Sequence, residues 1–208
     1  MPEPSGSTGR SSAEHIRDAA LNQFAAHGVS GTSLRAVAAA AGVSLGRVQH
    51  HYRTKARLVQ AVDGHVLSVM RASLPDPATQ LPADPVGDFG QHVVALIIEH
   101  PAVMNYLGRA LIEGSEIGSL VFDNLARRGL TRWENLVGSG LARADLDLTW
   151  ASLNPIILTL AALLLSPHID RQLPEPFTTA TQLLRWEEAV SAMIRRGQLL
   201  PAADPTQR

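Results

Sequence analysis

One stretch, TSLRAVAAAAGVSLGRVQHHY at residues 32–52, limits what this chain can fold into more than any other part of it. Gly42 divides the stretch, and glycine readily adopts the positive φ that ends a helix and turns the chain. The small side chain of Ala38 lets a second helix cross closely, and Val48 is spaced to face the core shared by both helices. Ser44 can cap the second helix, because its hydroxyl accepts from an amide of the first turn. The stretch predicts two short helices joined by a tight turn.

The outward face of the second helix indicates what this unit binds. In a helix-turn-helix, that helix enters the major groove of DNA. Here the face carries Leu45, Arg47, Gln49 and His50, all long enough to reach another molecule. Arg47 can hold a phosphate or pair with guanine through two hydrogen bonds, and Gln49 suits adenine. His50 is predicted to contact a phosphate or a base.

The flanking segments extend this pattern. IRDAALNQFAAHG precedes the stretch, and Arg53 to Leu58 follow it. Residues 16–58 together resemble the N-terminal DNA-binding domain of the TetR family of transcriptional regulators. The matching positions are Ala20, Phe24, Gly28, Thr32, Val37, Ala38, Ala41, Gly42, Val43, Ser44, Gly46, His51, Tyr52, Lys55 and Leu58. The resemblance covers roughly the first third of the chain.

The resemblance also implies roles around the recognition helix. Lys55, the only lysine of the chain, would open the fourth helix and contact the DNA backbone. Thr32 and Ser33 would present a hydroxyl and amides to phosphates. Tyr52 would pack on the first helix with its hydroxyl within reach of a phosphate. Arg47 and Gln49 differ from the residues common at those family positions, so base preference cannot be carried over.

The charge distribution favours the same function. Residues 1–62 carry seven basic and three acidic side chains, whereas the remainder carries eleven basic and sixteen acidic ones. A cationic head on an anionic body is typical of a protein that binds DNA at one end. The chain has no cysteine, which excludes disulfides, thiolate chemistry and cysteine-based zinc sites.

The chain predicts an all-α protein of two domains. Residues 13–62 form the three-helix DNA-binding domain, and residues 63–200 form a helical domain for ligand binding and dimerisation. A helix from residue 55 to about 73 links them and ends where four prolines fall within a dozen residues. Further helices are predicted at 86–100, 101–113, 119–141 and about 178–196. Residues 1–12 and 201–208 are expected to be disordered tails.

The run IILTLAALLL at residues 156–165 is apolar on all sides, unlike a surface helix. It is too short for a membrane span, which needs about 20 residues. Burial in the core of one subunit remains possible, but burial between a pocket and a partner subunit fits better. By resemblance, the last two long helices would pair with those of a second subunit. The predicted interface residues are Leu160, Leu164, Leu183, Trp186, Val190 and Met193. The last four of these residues form an apolar stripe on the last helix. The alternative is that this stripe only closes the core of its own subunit.

The effector site is predicted among the middle helices of the second domain, where the family has its cavity. The candidate lining residues are Val94, Ile98, Met104, Leu107, Phe122, Trp133, Asn154 and Leu158. Asn154 would be the polar group, unless it only caps a helix before Pro155. The shortage of charge in this set predicts a small, largely apolar effector.

We expect a cytoplasmic, homodimeric regulator, in the repressor role, that a small effector releases from a palindromic operator. No signal segment or metal-binding motif is found, and adjacent histidines such as His50 and His51 point about 100° apart on a helix. No enzymatic activity, cofactor, catalytic residue or metal site is predicted. Two alternatives stay open: a DNA-binding regulator without a small-molecule inducer, and a small-molecule carrier or enzyme with a vestigial DNA-binding head.

Overall fold

The computed structural model of this chain describes residues 11–76 and 83–200. These residues form ten α-helices and one 3-10 turn, and among them no β-strand occurs apart from an isolated bridge between Ala142 and Leu199. The all-α prediction is confirmed. Residues 1–10 and 201–208, which make up most of the two predicted tails, lie outside the described residues.

Four helices build the DNA-binding head, each begun by a hydroxyl cap. They are α1 (Ser12–Gly31), α2 (Leu34–Ala40), α3 (Leu45–His51) and α4 (Lys55–Ser73). The side chains of Ser11, Ser33, Ser44 and Thr54 each accept a hydrogen bond from an amide in the first turn of the helix that follows. Such caps satisfy amides that have no partner inside the helix, so the polar residues between helices set where each helix starts.

Two glycines turn the chain within the head. Gly42, between α2 and α3, has a φ of 63°, as the sequence predicted. Gly28 has a φ of 75° and interrupts α1 three residues before its end. This positive φ disfavours a side chain at Gly28, although the nearest atom that a Cβ there would meet is the end of the Glu113 side chain, at 3.4 Å.

The body contains the remaining helices: α5 (Pro85–Glu99), α6 (Pro101–Ile112), α7 (Glu116–Gly138), α8 (Leu148–Leu164), α9 (Ser166–Ile169) and α10 (Ala180–Gln198). A 3-10 turn, Asp170–Gln172, follows α9. α7 begins three residues before the predicted start because Ser115 caps it. α8 continues through Pro155, whose carbonyl accepts a hydrogen bond from Thr159 Oγ1.

The head and the body share one hydrophobic core. α6 packs on α1 and α7, α8 packs on α7, and α10 packs on α5. A single cluster of buried residues extends from Ile16 and Phe24 of the head to Leu107 and Leu183 of the body. The rings of Phe24 and Tyr106 lie 6.5 Å apart, centroid to centroid, across the junction. The body and the head are therefore in direct packing contact.

Among the described helices, none alone has both the length and the apolar composition to cross a membrane. α8 together with residues 166–172 reaches that length and composition only as a pair bent by 65°.

Candidate nucleic-acid interface and ligand cavity

α3 presents a polar face to solvent. Val48 is completely buried against the core of the head, whereas Arg47, Gln49 and His50 are exposed and Leu45 is partly exposed. The rings of His50 and His51 are in edge-to-face contact, with centroids 5.3 Å apart. The helix thus offers one guanidinium, one amide and one imidazole on the same surface, which is a combination that can contact bases and phosphates.

The other predicted DNA-contacting groups are basic side chains and the serine hydroxyls that cap α2 and α3. Lys55 begins α4, and its Nζ lies 3.5 Å from the carbonyl oxygen of Ser30. Arg47 Nη2 donates to Ser12 Oγ at 3.1 Å, which links α3 to the start of α1. Ser33 and Ser44 are exposed, and their hydroxyls accept from the amides of Ala36 and Arg47.

The structure corrects the role predicted for Thr32. This residue is 3% exposed, and its hydroxyl donates to the carbonyl oxygen of Gly28 at 2.8 Å. Its amide donates to the carbonyl of Val29. Thr32 cannot present either group to a phosphate, because the kink at Gly28 turns carbonyl groups toward it.

The hydroxyl of Tyr52 donates to the carbonyl oxygen of Ala13 at 2.9 Å, so Tyr52 packs on α1. Burial raises the pKa of that phenol.

A cavity of about 100 Å³ lies in the body between α5, α7, α8 and α10, and the end of α4 completes its wall. Most of the lining is apolar, with the aromatic side chains of Phe89, Trp133 and Trp186. The polar side chains of the lining are Arg128, Arg132, Ser152, Thr159, Glu187 and Ser191. This composition suits an apolar ligand that a few polar groups orient.

Two of the three arginines of α7, Arg128 and Arg132, line this wall one helical turn apart. The guanidinium of Arg132 lies 4.7 Å from the centroid of the Phe89 ring, and its Nη1 donates to the carbonyl of Pro85 at 2.9 Å. Burial and the neighbouring Arg128 lower the pKa of Arg132. Arg128 Nη2 donates to the carbonyls of Leu74 at 3.2 Å and Pro75 at 2.6 Å, directly beyond α4. A cavity residue thus holds the end of the helix that leads to the head.

The predicted ligand residues do not assemble around this cavity. Of that set, Trp133 lies on its wall, and Met104 lines a separate groove. Val94 and Leu107 are buried in the core, whereas Ile98 is 44% exposed. Phe122, Asn154 and Leu158 also lie outside the cavity lining, and Asn154 is exposed. One feature of the sequence could have predicted this part of the cavity lining: Arg128 and Arg132 are four residues apart and therefore lie on the same face of α7.

The structure also corrects part of the predicted subunit interface. Leu183 is completely buried within its own subunit, and Trp186 and Val190 line the cavity. The ring of Trp186 packs edge-to-face on Phe177, with centroids 5.8 Å apart. Leu183 thus faces inward, where α5 packs on α10, whereas Trp186 and Val190 remain partly exposed. Leu164 and Met193 are exposed, and Leu160 is partly exposed.

An exposed apolar stripe runs along α8 instead. Trp150, Ile157 and Leu164 follow one another at intervals of seven residues and are 55%, 44% and 43% exposed. Residues seven apart lie on one face of a helix, since 3.6 residues make a turn. The side chains therefore form one apolar surface that is about half exposed in the single chain.

Two side chains of α6 connect the body to the head through hydrogen bonds. Arg109 of α6 donates from Nε and Nη2 to the carbonyls of Ala25 and Ala26 in α1, at 3.2 and 3.1 Å. Tyr106, also of α6, donates from its hydroxyl to Asp63 Oδ1 of α4 at 2.7 Å. Burial raises the pKa values of both Asp63 and Tyr106. α6 therefore contacts two helices of the head.

The sequence matches the family model for bacterial regulatory proteins of the tetR family over residues 16–62. It is 36% identical over 132 residues to the HTH-type transcriptional regulatory protein RaaS of Mycobacterium tuberculosis (strain ATCC 25618 / H37Rv). That alignment covers 64% of this chain and 60% of RaaS, so it spans less than two thirds of the relative.

Solved structures share the fold over nearly the whole chain. SmeT, the repressor of the Stenotrophomonas maltophilia multidrug efflux pump SmeDEF, superposes with a TM-score of 0.68 at 20% identity, covering 96% of each chain. The ketosteroid transcriptional regulator KstR2 of Mycobacterium tuberculosis gives 0.69 at 16% identity, covering 95% of this chain and all of its own. AibR, solved with isovaleryl coenzyme A and operator DNA, gives 0.68 at 15% identity, covering 88% of this chain and 97% of AibR.

Proposed function

Because the chain belongs to the TetR family of transcriptional regulators, a family of regulators rather than enzymes, we propose that it is a homodimeric repressor. In this proposal α3 of each subunit reads one half of a palindromic operator, and a small effector in the body cavity releases the DNA.

The face of α3 is the observation that carries the DNA-binding proposal. Arg47, Gln49 and His50 are exposed on a short helix whose buried side, at Val48, is fixed to the core of the head. Side chains positioned by a rigid element can discriminate between bases, because their reach into the groove is set in advance. The excess of basic residues in the first 62 positions adds sequence-independent attraction to the phosphates.

The stripe on α8 supports a dimer. Trp150, Ile157 and Leu164 would be covered by the same stripe of a second subunit, and Met193 of α10 adds an exposed apolar side chain. A two-fold symmetric pair presents two α3 helices with opposite orientation, as a palindrome requires. Half-sites would then lie about one helical turn apart, ~34–36 Å.

The contacts of Arg128 support a ligand response. Its guanidinium lines the cavity and binds the carbonyls of Leu74 and Pro75, at one end of α4. Lys55, at the other end of α4, follows the last residue of α3 by four positions, so α4 leads directly from the cavity to the recognition helix. A ligand that binds one position of α4 more tightly than another shifts the equilibrium between these positions by the difference in binding free energy. The spacing of the two heads changes with that equilibrium.

Two of the similar structures are consistent with this proposal. SmeT is the repressor of an efflux pump, and the AibR complex with isovaleryl coenzyme A and operator DNA shows that one protein of this fold binds both a small molecule and DNA, although it does not bear on release. Neither the ligand nor the operator of those proteins transfers to this chain, since identity is 20% or less.

A binding selection from random duplex DNA tests the proposal. The wild-type protein should enrich one palindromic motif, and the Arg47→Ala/Gln49→Ala double variant should abolish that enrichment. Arg127→Ala is the matched control, because Arg127 is an exposed arginine of α7 in the body. Enrichment of no motif by the wild type would favour a carrier with a vestigial head. A palindrome that no metabolite in a library releases would favour a regulator without a small-molecule inducer.

A further inference from the structure

We propose that the body cavity takes a small apolar ligand bearing one carboxylate, and that Arg132 is the counter-charge that selects it over neutral and cationic ligands of the same size. This ligand class deepens the proposed function by naming the kind of effector. It rests on that function only in treating this cavity as the effector site.

The cavity wall carries an excess of positive charge. Two guanidinium groups, Arg128 and Arg132, and one carboxylate, Glu187, line it. Glu187 already accepts a hydrogen bond from Ser191 and packs over Gly90, where a Cβ would collide with the carboxylate. Asp84, which caps the start of α5, is paired with Arg195. Among its lining residues the wall therefore carries one more positive than negative charge, and a carboxylate on the ligand would balance it.

Arg132 has hydrogen-bonding capacity to spare. A guanidinium has five N–H donors in a planar fork, and it stays charged in proteins. Within the described part of the chain, the hydrogen bonds of Arg132 use one nitrogen, Nη1, on the carbonyl of Pro85. The remaining donors can form the paired hydrogen bonds with which arginine binds a carboxylate. With a neutral ligand, the guanidinium keeps only the Pro85 carbonyl, the Phe89 ring and the charge of nearby Asp88, and its remaining donors stay unused by the ligand.

Desolvation makes this preference stronger than it would be on the surface. Burial is the main cause that lowers the pKa of Arg132, and repulsion from Arg128 adds to it. The attraction between an anion and a partly desolvated cation is stronger than the attraction between the same two ions in water, because the effective dielectric constant is lower.

The volume of the cavity limits the apolar part of the ligand. An apolar cavity of about 150 Å³ in another protein holds benzene. The pocket here has about 100 Å³ of such space and is partly open, so a single ring or a short branched chain can enter it with its polar end toward the opening. Phe89, Trp133 and Trp186 on its walls give such a group aromatic surfaces to pack on.

Three probes of nearly equal size separate the possibilities: benzoate, benzamide and benzylamine at constant ionic strength, without DNA. Trp133 and Trp186 line the cavity, whereas Trp150 is 55% exposed on α8. In a Trp150→Phe background, tryptophan fluorescence therefore reports binding at the cavity. Benzoate should bind at least about tenfold more tightly than benzamide, equivalent to about 1.4 kcal/mol, and benzylamine should bind most weakly.

Variants identify the selecting residue. Arg132→Gln should remove the preference for benzoate, and Arg132→Lys, which keeps the charge but not the planar fork, should keep part of it. Arg127→Gln, an exposed arginine of the same helix, should leave all three affinities unchanged. Thermal unfolding of each variant shows whether it is folded. If Arg132→Gln fails to fold, the role of Arg132 is judged from two results instead: the wild-type preference for benzoate, and the reduction of that preference in Arg132→Lys.

The proposal is overturned if benzamide or benzylamine binds as well as benzoate, if no probe binds, or if folded Arg132→Gln keeps the wild-type preference. Because these measurements contain no DNA, failure of operator recognition would leave their result unchanged, and the two proposals can fail separately.

Discussion

Val48 and Gln49 are neighbours on α3, yet one is completely buried and the other is exposed. The sequence predicted this division, as well as the positive φ of Gly42 and the cap formed by Ser44, because each depends on local geometry. The burial of Thr32 depends instead on the kink at Gly28, which brings the carbonyls of Gly28 and Val29 within reach of the Thr32 hydroxyl and amide. The spacing of apolar residues does not show that kink, so it could not predict the burial.

Gln49 is the residue we expect to read a base. Its planar amide matches the N7 and N6 groups of adenine, and one good contact of this kind provides ~1–3 kcal/mol of discrimination. Gln49→Ala should flatten the preference at one position of each half-site and leave non-specific affinity nearly intact. Binding selections with both proteins measure this. An unchanged preference at every position would show that Gln49 reads no base.

Lys55 is expected to bind a phosphate. Its ammonium lies at the start of α4, 3.5 Å from the carbonyl of Ser30. Lys55→Ala should weaken binding to all sequences alike and reduce the slope of log affinity against log salt by about 1 for each phosphate that is no longer neutralised. Titrations at several salt concentrations give the slope. A sequence-dependent weakening with an unchanged slope would contradict the phosphate role.

At the scale of helices, the sequence predicted most elements well because their ends are local events. Prolines end α4 and begin α5 and α6, and Asp147 caps α8. Which helices meet was harder, since it depends on the whole chain. The apolar stripe of α10 around Trp186 faces α5 and the cavity, and the sequence pattern alone could not distinguish that from a subunit interface.

The contact between α5 and α10 should weaken in acid. Hydrogen bonding to Arg195 is the main cause that lowers the pKa of Asp84 below 3.8, so this pair stabilises the fold above that pH, and the stabilisation disappears as the pH falls through the lowered pKa. The pair is 38% and 48% exposed, so we expect less than about 1 kcal/mol. Thermal unfolding of Asp84→Asn should differ from wild type at neutral pH and converge with it in strong acid.

Asp145→Asn is the control for that experiment. Asp145 also pairs with an arginine, Arg143, but both residues lie in one loop and connect no two helices. Its unfolding should follow wild type closely. A difference between Asp84→Asn and wild type that stays constant down to strong acid would contradict the role of the charge.

At the scale of the whole molecule, the head and body form one packed unit joined through α6. Arg109 and Tyr106 bind α1 and α4 respectively, and the core is continuous across the junction. A structure of this kind can couple a cavity to a DNA-binding face without a flexible hinge. In the proposed dimer, operator binding requires both subunits, because one head would contact only half of a palindrome.

The dimer prediction is tested on α8. Ile157→Glu introduces a charge in the middle of the exposed stripe, and burying that charge without a partner at an interface is costly. We expect monomers in sedimentation and loss of operator binding. Leu120→Glu is the control, since Leu120 is 48% exposed on α7 outside the stripe. A stable Ile157→Glu dimer would place the interface elsewhere.

We expect two subunits to bind one palindromic site with their α3 helices about a helical turn apart. The most direct test is the mass of the complex on the selected duplex, combined with affinity for duplexes whose half-sites are separated by extra base pairs. We predict two subunits on one duplex and a steep fall in affinity when about half a helical turn is inserted, because one α3 then faces the wrong side of the DNA. One subunit on an asymmetric site, or an affinity that does not depend on the spacing, would contradict it.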